Sequence, residues 1–270
     1  MSDPHFTALI NLRSRCLFCR AADRSFITSE HVIPESLGNT IFVLPPGIVC
    51  DACNNYFATN LEEPILSSSY FRSARFYDAI PSKRGRVPNV KAIVPPVYEA
   101  EVARDGDNAL QVFVEDRAED LIRSGSRTHL IIPRPIYPEE SILFARFLGK
   151  VAIETMALKF LENRPGDLAE LIDNDRLDTL RHYVRRGSPS KSAWPIWRRQ
   201  ILNASRSSIA EQDLNPVLHE WTFLSTEHNE IYFVISLFDV EYVLNMGGPD
   251  LEGFHGWLAA NKNTSPLSTR

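Results

Sequence analysis

Apolar and polar residues alternate in several short segments of the C-terminal two thirds of the chain. Alternation through residues 97–102 and 110–114, on either side of a turn-prone stretch at 105–108, predicts a β-hairpin. Three further strands are predicted at residues 128–132, 220–225 and 231–238. A polar turn at 227–230 separates the last two, and we expect antiparallel strands in this part of the chain.

Two longer segments have apolar residues at helical spacing. In residues 139–162 the apolar positions are Leu143, Phe147, Val151, Met156 and Phe160. Pro165 and Gly166 then predict the end of this helix. A second amphipathic helix is predicted over residues 167–186, and no internal repeat is present.

The N-terminal pattern is shorter and predicts two strands followed by a helix. Residues 29–34 predict a short strand that Pro34 stops, and Gly38 with Asn39 predicts a turn. A second apolar stretch covers 41–44, and residues 54–69 are predicted to be helical.

The two patterns are separated by a basic, proline-containing stretch without a clear period. We therefore predict a first domain at residues 1–75, a basic linker or arm at 76–96, and an accessory domain at 97–270. The fold class expected for the whole chain is α+β. The accessory domain is expected to position a substrate, to sense a ligand or to form a homodimer.

All four cysteines lie in two Cys-x-x-Cys pairs, Cys16 with Cys19 and Cys50 with Cys53. This pattern favours a metal site in a reducing compartment over disulfides. Zinc binds four thiolates tetrahedrally, so the two pairs predict a closed structural zinc site. The chain has no apolar run of about 18 to 20 residues and no signal sequence at its start. We expect a soluble, cytoplasmic protein without a membrane partner.

Thirty residues separate Cys19 from Cys50, and this insert contains Glu30 and His31. Asn54 directly follows the last cysteine and begins the predicted helix. A strand with Glu30 and His31 that packs against this helix can bring a carboxylate, an amide oxygen and an imidazole together. Mg²⁺ and Mn²⁺ prefer such oxygen ligands. The polar residues Asn55, Glu62 and Glu63 of the same helix are secondary candidates for the site, and ordinary exposed groups are the favoured interpretation of them.

These motifs resemble the HNH, or ββα-metal, endonuclease family, and in particular its members with a four-cysteine zinc site, such as phage Holliday-junction resolving endonucleases. The resemblance spans about residues 16–75: the first cysteine pair, Glu-His-Val-Ile-Pro at 30–34 with Leu-Gly after it, and Cys-x-x-Cys-Asn-Asn at 50–55. It implies an N-terminal ββα-metal domain. Family members often have aspartate where Glu30 stands, which leaves the metal geometry open.

The resemblance implies a metal-dependent endonuclease that hydrolyses phosphodiester bonds in DNA, with RNA not excluded. Glu30 takes the acidic metal-ligand position, His31 the general-base position and Asn54 the metal-ligand position on the helix. His31 is then expected to take a proton from the attacking water, while Mg²⁺ or Mn²⁺ neutralises charge on the phosphate. The zinc ion would be structural.

Charge is unevenly distributed along a chain whose net charge is −5. Residues 71–91 contain six Lys or Arg residues and one Asp, and residues 181–206 contain seven and no acid. We predict that the first stretch contacts nucleic acid through Arg72, Arg75, Lys83, Arg84 and Arg86. The second stretch is a candidate for the same surface. Solvated faces, or a buried connector, are the alternative interpretation of both stretches.

Two other functions fit parts of the sequence. One is a non-catalytic zinc-knuckle module that binds nucleic acid or protein; Glu30, His31 and Asn54 argue against it. The other is a Cys-x-x-Cys redox protein, which needs neither four cysteines nor a Glu-His pair. No thioredoxin-like βαβ pattern surrounds either cysteine motif.

Overall fold

The computed structural model describes residues 15–105, 109–127, 129–139, 141–187, 192–201 and 219–267. Its strands are β1 (Glu30–His31), β2 (Val43–Leu44), β3 (Val90–Val94), β4 (Tyr98–Arg104), β5 (Leu110–Val114), β6 (Trp197–Gln200), β7 (Glu220–Ser225), β8 (Ile231–Leu237) and β9 (Val240–Asn245). Its helices are α1 (Asp51–Phe57), α2 (Glu63–Ser67), α3 (Ser69–Tyr77), α4 (Asp116–Arg123), α5 (Ile142–Asn163), α6 (Leu168–Asp173), α7 (Asp178–Arg186) and α8 (Glu252–Ala260).

The N-terminal part has the predicted order of strand, strand and helix. β1 pairs antiparallel with β2, so that Glu30 lies opposite Leu44 and His31 opposite Val43. Helix α1 begins directly after Cys50. A π-helical turn at Ala58–Glu62 joins it to α2, so the predicted helix over 54–69 is interrupted rather than uniform.

The middle of the chain forms a three-stranded antiparallel sheet in the order β3-β4-β5. The predicted hairpin is β4 with β5; Gly106, Asp107 and Asn108 of its turn lie outside the described residues. β3 lies inside the segment 76–96, where the sequence predicts an irregular arm. Its buried positions alternate at Val90, Ala92 and Val94. The strand predicted at 128–132 is reduced to one bridge between Ile93 and Ile131, and Thr128 is not described.

Helix α5 lies at the centre of the molecule. Ser141 caps its start by accepting a hydrogen bond from the Phe144 N–H at 3.1 Å. Its buried residues extend from Phe144 to Leu161 on all sides of the helix, as expected for a helix that is enclosed by other elements. It contacts β2, α2 and the π-helical turn on one side and α6 and α7 on the other. The N-terminal part of the chain therefore packs on α5.

The C-terminal residues form a four-stranded antiparallel sheet in the order β6-β9-β8-β7. β7 and β8 match the predicted strands closely, and β9 and α8 are additional elements. The helix predicted over 167–186 is divided into α6 and α7, with Asn174 in an extended conformation between them. Helices and antiparallel sheets together confirm the α+β class.

One hydrophobic core includes side chains from both predicted domains. It contains Phe57 and Phe71 from the N-terminal part as well as Phe147, Leu180 and Tyr242 from the C-terminal part. Smaller clusters lie under β3-β4 and under α8. Side chains of the predicted domains 1–75 and 97–270 thus share this core. Whether the two domains fold independently stays a prediction.

Candidate active site and zinc centre

The four cysteines lie together and are not oxidised. One sulfur from each of Cys16, Cys19, Cys50 and Cys53 lies within 4.8 Å of all the others. The Cys19 and Cys50 sulfurs are 3.7 Å apart. With Zn–S bonds of about 2.3 Å, tetrahedral zinc requires sulfur separations of about 3.8 Å. The cluster is therefore compatible with a structural zinc ion, as the sequence predicts.

Local backbone geometry presents these thiols to one point. Arg20 has a φ of 58° and its N–H donates to the Cys16 carbonyl at 2.8 Å, which closes the first turn. The Cys50 N–H donates to the Cys16 sulfur at 3.4 Å. A hydrogen bond with Cys53 lowers the pKa of Cys16 to about 4, whereas burial raises the pKa of Cys50 to about 11. A divalent cation stabilises the thiolate form that burial opposes at Cys50.

The turn between β1 and β2 is built around Asn39, whose side chain is buried. Its Nδ2 donates to the Ile33 carbonyl at 2.6 Å and to the Phe42 carbonyl at 3.0 Å. Its Oδ1 accepts from the N–H groups of Ile41 and Phe42 at 3.1 and 2.8 Å. The preceding Gly38 has a φ of 89°. Both turn residues identified in the sequence thus have a structural role that sets the end of β1.

Helix α1 contacts the segment that leads into β1 through two side chains. Asp51 accepts hydrogen bonds from the N–H groups of Ile27 and Thr28 and from the Thr28 hydroxyl. Asn54 Nδ2 donates to Thr28 Oγ1 at 3.1 Å and to the Ser29 carbonyl at 3.2 Å. Ser29 directly precedes Glu30, so the Asn54 amide lies beside the start of β1.

Glu30 is buried and paired with a lysine from α5. Its Oε1 is 2.5 Å from Nζ of Lys150, whose side chain is fully buried. The same ammonium group donates to Glu62 Oε1 at 2.7 Å and to the His31 carbonyl at 3.0 Å. Glu154, one turn further along α5, lies 3.0 Å from Lys150 Nζ. Three carboxyl groups therefore surround one ammonium group.

This cluster is fully enclosed at Lys150 and Glu154. Burial opposes the charged form of Lys150, but the three carboxyl groups outweigh it and raise the pKa of Lys150. Burial also raises the pKa of Glu30 and that of Glu154, against the attraction of Lys150. Among the described residues neither oxygen of Glu154 accepts a hydrogen bond. Lysine has three N–H donors, and Glu30, Glu62 and the His31 carbonyl account for all of them.

His31 lies between the enclosed cluster and the surface. Its ring is partly exposed, and its backbone pairs with Val43 on β2. The Nδ1 atom is shielded from solvent and has no hydrogen-bond partner within the described part of the chain. An imidazole nitrogen in this state is able to accept a proton or a hydrogen bond from a bound molecule.

The five basic residues predicted to contact nucleic acid are not equally accessible. Lys83, Arg84 and Arg86 are exposed in a turn closed by the Ser82 N–H donating to the Arg86 carbonyl at 2.8 Å. Arg72 is also exposed, and its guanidinium donates to the Asn89 carbonyl. Burial raises the pKa of Glu30, and the charge of Lys83 is a small opposing effect.

Arg75 differs from the other four. It is buried, and its Nε atom has no hydrogen-bond partner among the described residues. Burial and the charge of Arg72 lower the pKa of Arg75. Its guanidinium is not on the surface where a nucleic acid backbone would lie.

The second basic stretch uses much of its charge inside the molecule. Arg181 is buried and donates to the Leu17 and Leu171 carbonyls. Arg198 lies over the Tyr137 ring, and Arg199 donates to the Asn263 carbonyl. Lys191 and Arg206 lie outside the described residues. For Arg181, Arg198 and Arg199 the alternative of a buried connector fits better than an open binding surface, whereas Arg185 is partly exposed and Arg186 is exposed.

Sequence patterns led to Glu30, His31, Asn54 and the cysteines but not to Lys150. Lys150 and Glu154 are charged residues within an otherwise apolar stretch of α5, and this is the signal that could have identified them. Glu62, expected to be an ordinary exposed group, is instead a partner of Lys150.

Comparison with known protein families assigns part of the chain. Residues 16–69 match the family described as HNH endonuclease, which confirms the resemblance predicted from the motifs. The match suggests a nuclease-type function for this part of the chain. No curated protein and no solved structure matches the chain. None of the described helices is both long and apolar enough to cross a membrane.

Proposed function

We propose that the protein is a metal-dependent endonuclease that hydrolyses phosphodiester bonds in DNA. The family match over residues 16–69 supports the nuclease class. The observation that carries the proposal is the contact of Asn54 with Ser29, because it brings the helix amide beside the Glu30-His31 pair. Asn54 and His31 are partly exposed, and the carboxylate of Glu30 is buried.

His31 is the proposed general base. His31 is partly exposed, so its imidazole can take a proton from water. Attack of that water in line with the scissile bond releases the 3′ oxygen. The β1–β2 pairing and the Asn39 turn keep the His31 backbone in a fixed position during this step.

Glu30 and Asn54 are the proposed ligands of the catalytic cation. They offer carboxylate and amide oxygens, the donors that Mg²⁺ and Mn²⁺ prefer, and the Asn54 hydrogen bonds are made by Nδ2 and not by Oδ1. When bound there, such an ion supplies charge neutralisation at the phosphate. The ion pair with Lys150 engages Glu30 Oε1, so a bound cation shares this carboxylate with an ammonium group.

The exposed basic residues are proposed to bind the DNA backbone. Arg72, Lys83, Arg84 and Arg86 are accessible, and Lys83 is close enough to affect the pKa of Glu30. Arg75 is left out of this surface because it is buried. RNA is the comparison substrate in any test. A cytoplasmic location and a homodimer stay predictions.

The direct test is digestion of supercoiled plasmid DNA in the presence of Mg²⁺ or Mn²⁺. We expect the wild type to nick or linearise the plasmid and His31→Ala to lose this activity. Zinc content and circular dichroism of the variant control for misfolding, since His31 is not one of the clustered thiol ligands. Charge reversal at Arg84 and Arg86 should weaken DNA binding and reduce its salt dependence.

A non-catalytic zinc module is the second candidate, and the burial of Glu30 against Lys150 favours it. The two functions differ in their metal stoichiometry. A binding module contains tightly bound zinc alone. The proposed enzyme binds Mn²⁺ in addition, and this second binding event is lost in Glu30→Ala.

A further inference from the structure

Lys150 is remote in sequence from the residues that it contacts. It lies in α5, beyond the 16–69 segment that matches the HNH family, and it is fully buried. The family motif therefore contains no information about it. Its contacts nevertheless include both residues of β1.

The contacts of Lys150 involve a side chain and a backbone of the same strand. Nζ is 2.5 Å from Glu30 Oε1 and 3.0 Å from the His31 carbonyl oxygen. The third contact, to Glu62 at 2.7 Å, comes from the π-helical turn after α1. The Lys150 ammonium group thus fixes the direction of the Glu30 carboxylate and the position of the His31 backbone relative to α5.

We propose that Lys150 is a positioning residue of the hydrolytic site, which orients Glu30 and His31 from outside the HNH segment. This inference rests on the proposed function. Lys150 does not touch the reacting atoms in this account. It acts by holding the Glu30 carboxylate in one direction and by binding the backbone of β1, which consists of two residues.

Packing alone does not account for this arrangement. An apolar residue of similar size would fill the same space without the cost of burying an ammonium group and three carboxyl groups. The polar cluster supplies direction instead, because N–H···O contacts fix angles that apolar contacts leave free. Direction matters here because small displacements of catalytic groups reduce rates strongly.

Arg146 offers a matched control on the same helix. One turn before Lys150, it donates to the Tyr56 hydroxyl at 2.7 Å and to the Val184 carbonyl at 2.9 Å. It thus also connects α5 to the HNH segment, but no described contact joins it to Glu30 or His31. The R146M variant therefore measures how a weaker contact between α5 and the HNH segment affects cleavage, without a direct change at Glu30 or His31.

Replacement of Lys150 alone leaves three carboxyl groups enclosed without a cation, and K150M can fail to fold. The double variant K150M/E154Q removes one of these carboxyl groups together with the lysine. The reference for it is E154Q, because this variant has the same change at Glu154 and keeps Lys150. Zinc content and circular dichroism establish that each full-length variant is folded.

Two measurements are made on the wild type, E154Q, K150M/E154Q and R146M. The first is the single-turnover rate of DNA cleavage at saturating Mn²⁺. The second is amide hydrogen exchange of the zinc-loaded protein in a buffer without added divalent cations. It is measured at Val32, the residue after His31, whose N–H donates to the Phe42 carbonyl. We expect K150M/E154Q to cleave about tenfold or more slowly than E154Q and to exchange faster at Val32, with R146M near wild type.

If the wild type cleaves DNA and K150M/E154Q cleaves at the same rate as E154Q, the positioning role of Lys150 is overturned. The proposed function is not overturned by that result. Faster exchange throughout the chain, in R146M as much as in the double variant, would also overturn the positioning role, because that result indicates general loosening. A zinc-loaded wild type that does not cleave DNA overturns the proposed function first. The two failures are therefore distinguishable.

Discussion

Asn39 shows how a single buried side chain sets the position of the site. It makes four hydrogen bonds to the backbone between Ile33 and Phe42, and it is almost fully enclosed. No apolar residue can replace these contacts, because the backbone groups would remain buried without partners. The end of β1 depends on this turn.

Asn39→Ala should destabilise the protein by about 2 to 4 kcal/mol, since several buried backbone groups lose a partner at once. Urea denaturation measures the change. Thr40→Ala, at the exposed neighbouring position, is the control and should change stability by less than about 0.5 kcal/mol. Similar midpoints for the two variants would contradict the role assigned to Asn39.

The residues of the candidate site differ in how far the sequence could reveal them. The cysteines and the residues Glu30, His31 and Asn54 follow from spacing, because metal ligands must come from short turns and from a helix start. Lys150 could not be found in this way. Its contact with Glu30 joins positions 120 residues apart, and only the packing of α5 brings them together.

At the level of elements, the start of α1 depends on the zinc centre. Cys50 directly precedes the helix, and Cys53 lies in its first turn. β1 and β2 contain only two residues each. Such short elements have little stability of their own, and a bound metal supplies the folding free energy that they lack.

Cys50→Ser is expected to lose zinc and to unfold the N-terminal part locally. Hydrogen exchange of α1 should approach that of an unprotected peptide. β8 and β9, which pack on α8 with one face, should remain protected. Zinc content is measured in parallel. Retention of one zinc per chain with unchanged protection of α1 would contradict a four-thiolate structural site.

Helix α5 approaches α7 most closely at Gly149. A Cβ atom at this position would lie 2.8 Å from Val184 Cγ2 and 3.1 Å from Leu180 Cδ1. These distances are too short for an added methyl group unless α7 moves. The glycine is thus required by the approach of two helices and not by its backbone conformation.

Gly149→Ala should destabilise the fold by about 1 to 3 kcal/mol through overpacking, although alanine is the better helix former. Gly166→Ala is the control, because a Cβ there meets no atom within 4 Å. Thermal denaturation of both variants provides the comparison. A Gly149→Ala protein as stable as the wild type would show that the α5–α7 contact is less tight than described.

The predicted strands near the C-terminus succeed where a polar turn marks them. β7 and β8 flank the turn from which they were predicted, although β8 is buried at six of its seven positions. β9 is also buried at all six positions, so its sequence has no alternation that predicts a strand. α6 and α7 were predicted as one helix because the amphipathic period continues across Asn174, whose side chain caps the Arg176 N–H at 3.0 Å.

At the scale of the whole molecule, C-terminal residues contact the HNH segment at several points. Arg181 donates to the Leu17 carbonyl beside the first cysteine, and Arg20 donates to the Ile172 carbonyl and pairs with Asp178. His219 Nε2 lies 2.9 Å from the Leu37 carbonyl oxygen. Changes in the C-terminal part should therefore reach the site through direct contacts.

His219 makes one of these contacts sensitive to pH. Burial lowers its pKa, against the hydrogen bonds with Leu37 and Ser236. An unfolded chain takes up a proton at His219 near the usual value of about 6.5, whereas the folded chain does so only at lower pH. The contribution of the neutral His219 ring to the free energy of unfolding is thus fully present above about pH 6.5. It is lost as the pH falls towards the lower pKa of His219 in the folded chain.

His219→Gln should reduce the loss of stability between pH 7 and pH 5, measured as urea midpoints at several pH values. The exposed His228→Gln variant is the control and should keep the wild-type dependence. An unchanged pH dependence in His219→Gln would contradict the burial of a neutral ring against Leu37.

The most direct measurement is the single-turnover rate at which zinc-loaded protein hydrolyses a labelled DNA duplex with Mn²⁺, for the wild type and for His31→Ala. Loss of a general base predicts a rate about 10² to 10⁴ times lower in the variant, at equal zinc content. Equal rates for the two proteins, or no hydrolysis by the wild type under any divalent cation, would contradict the assignment of this chain as an HNH-type nuclease with His31 as its base.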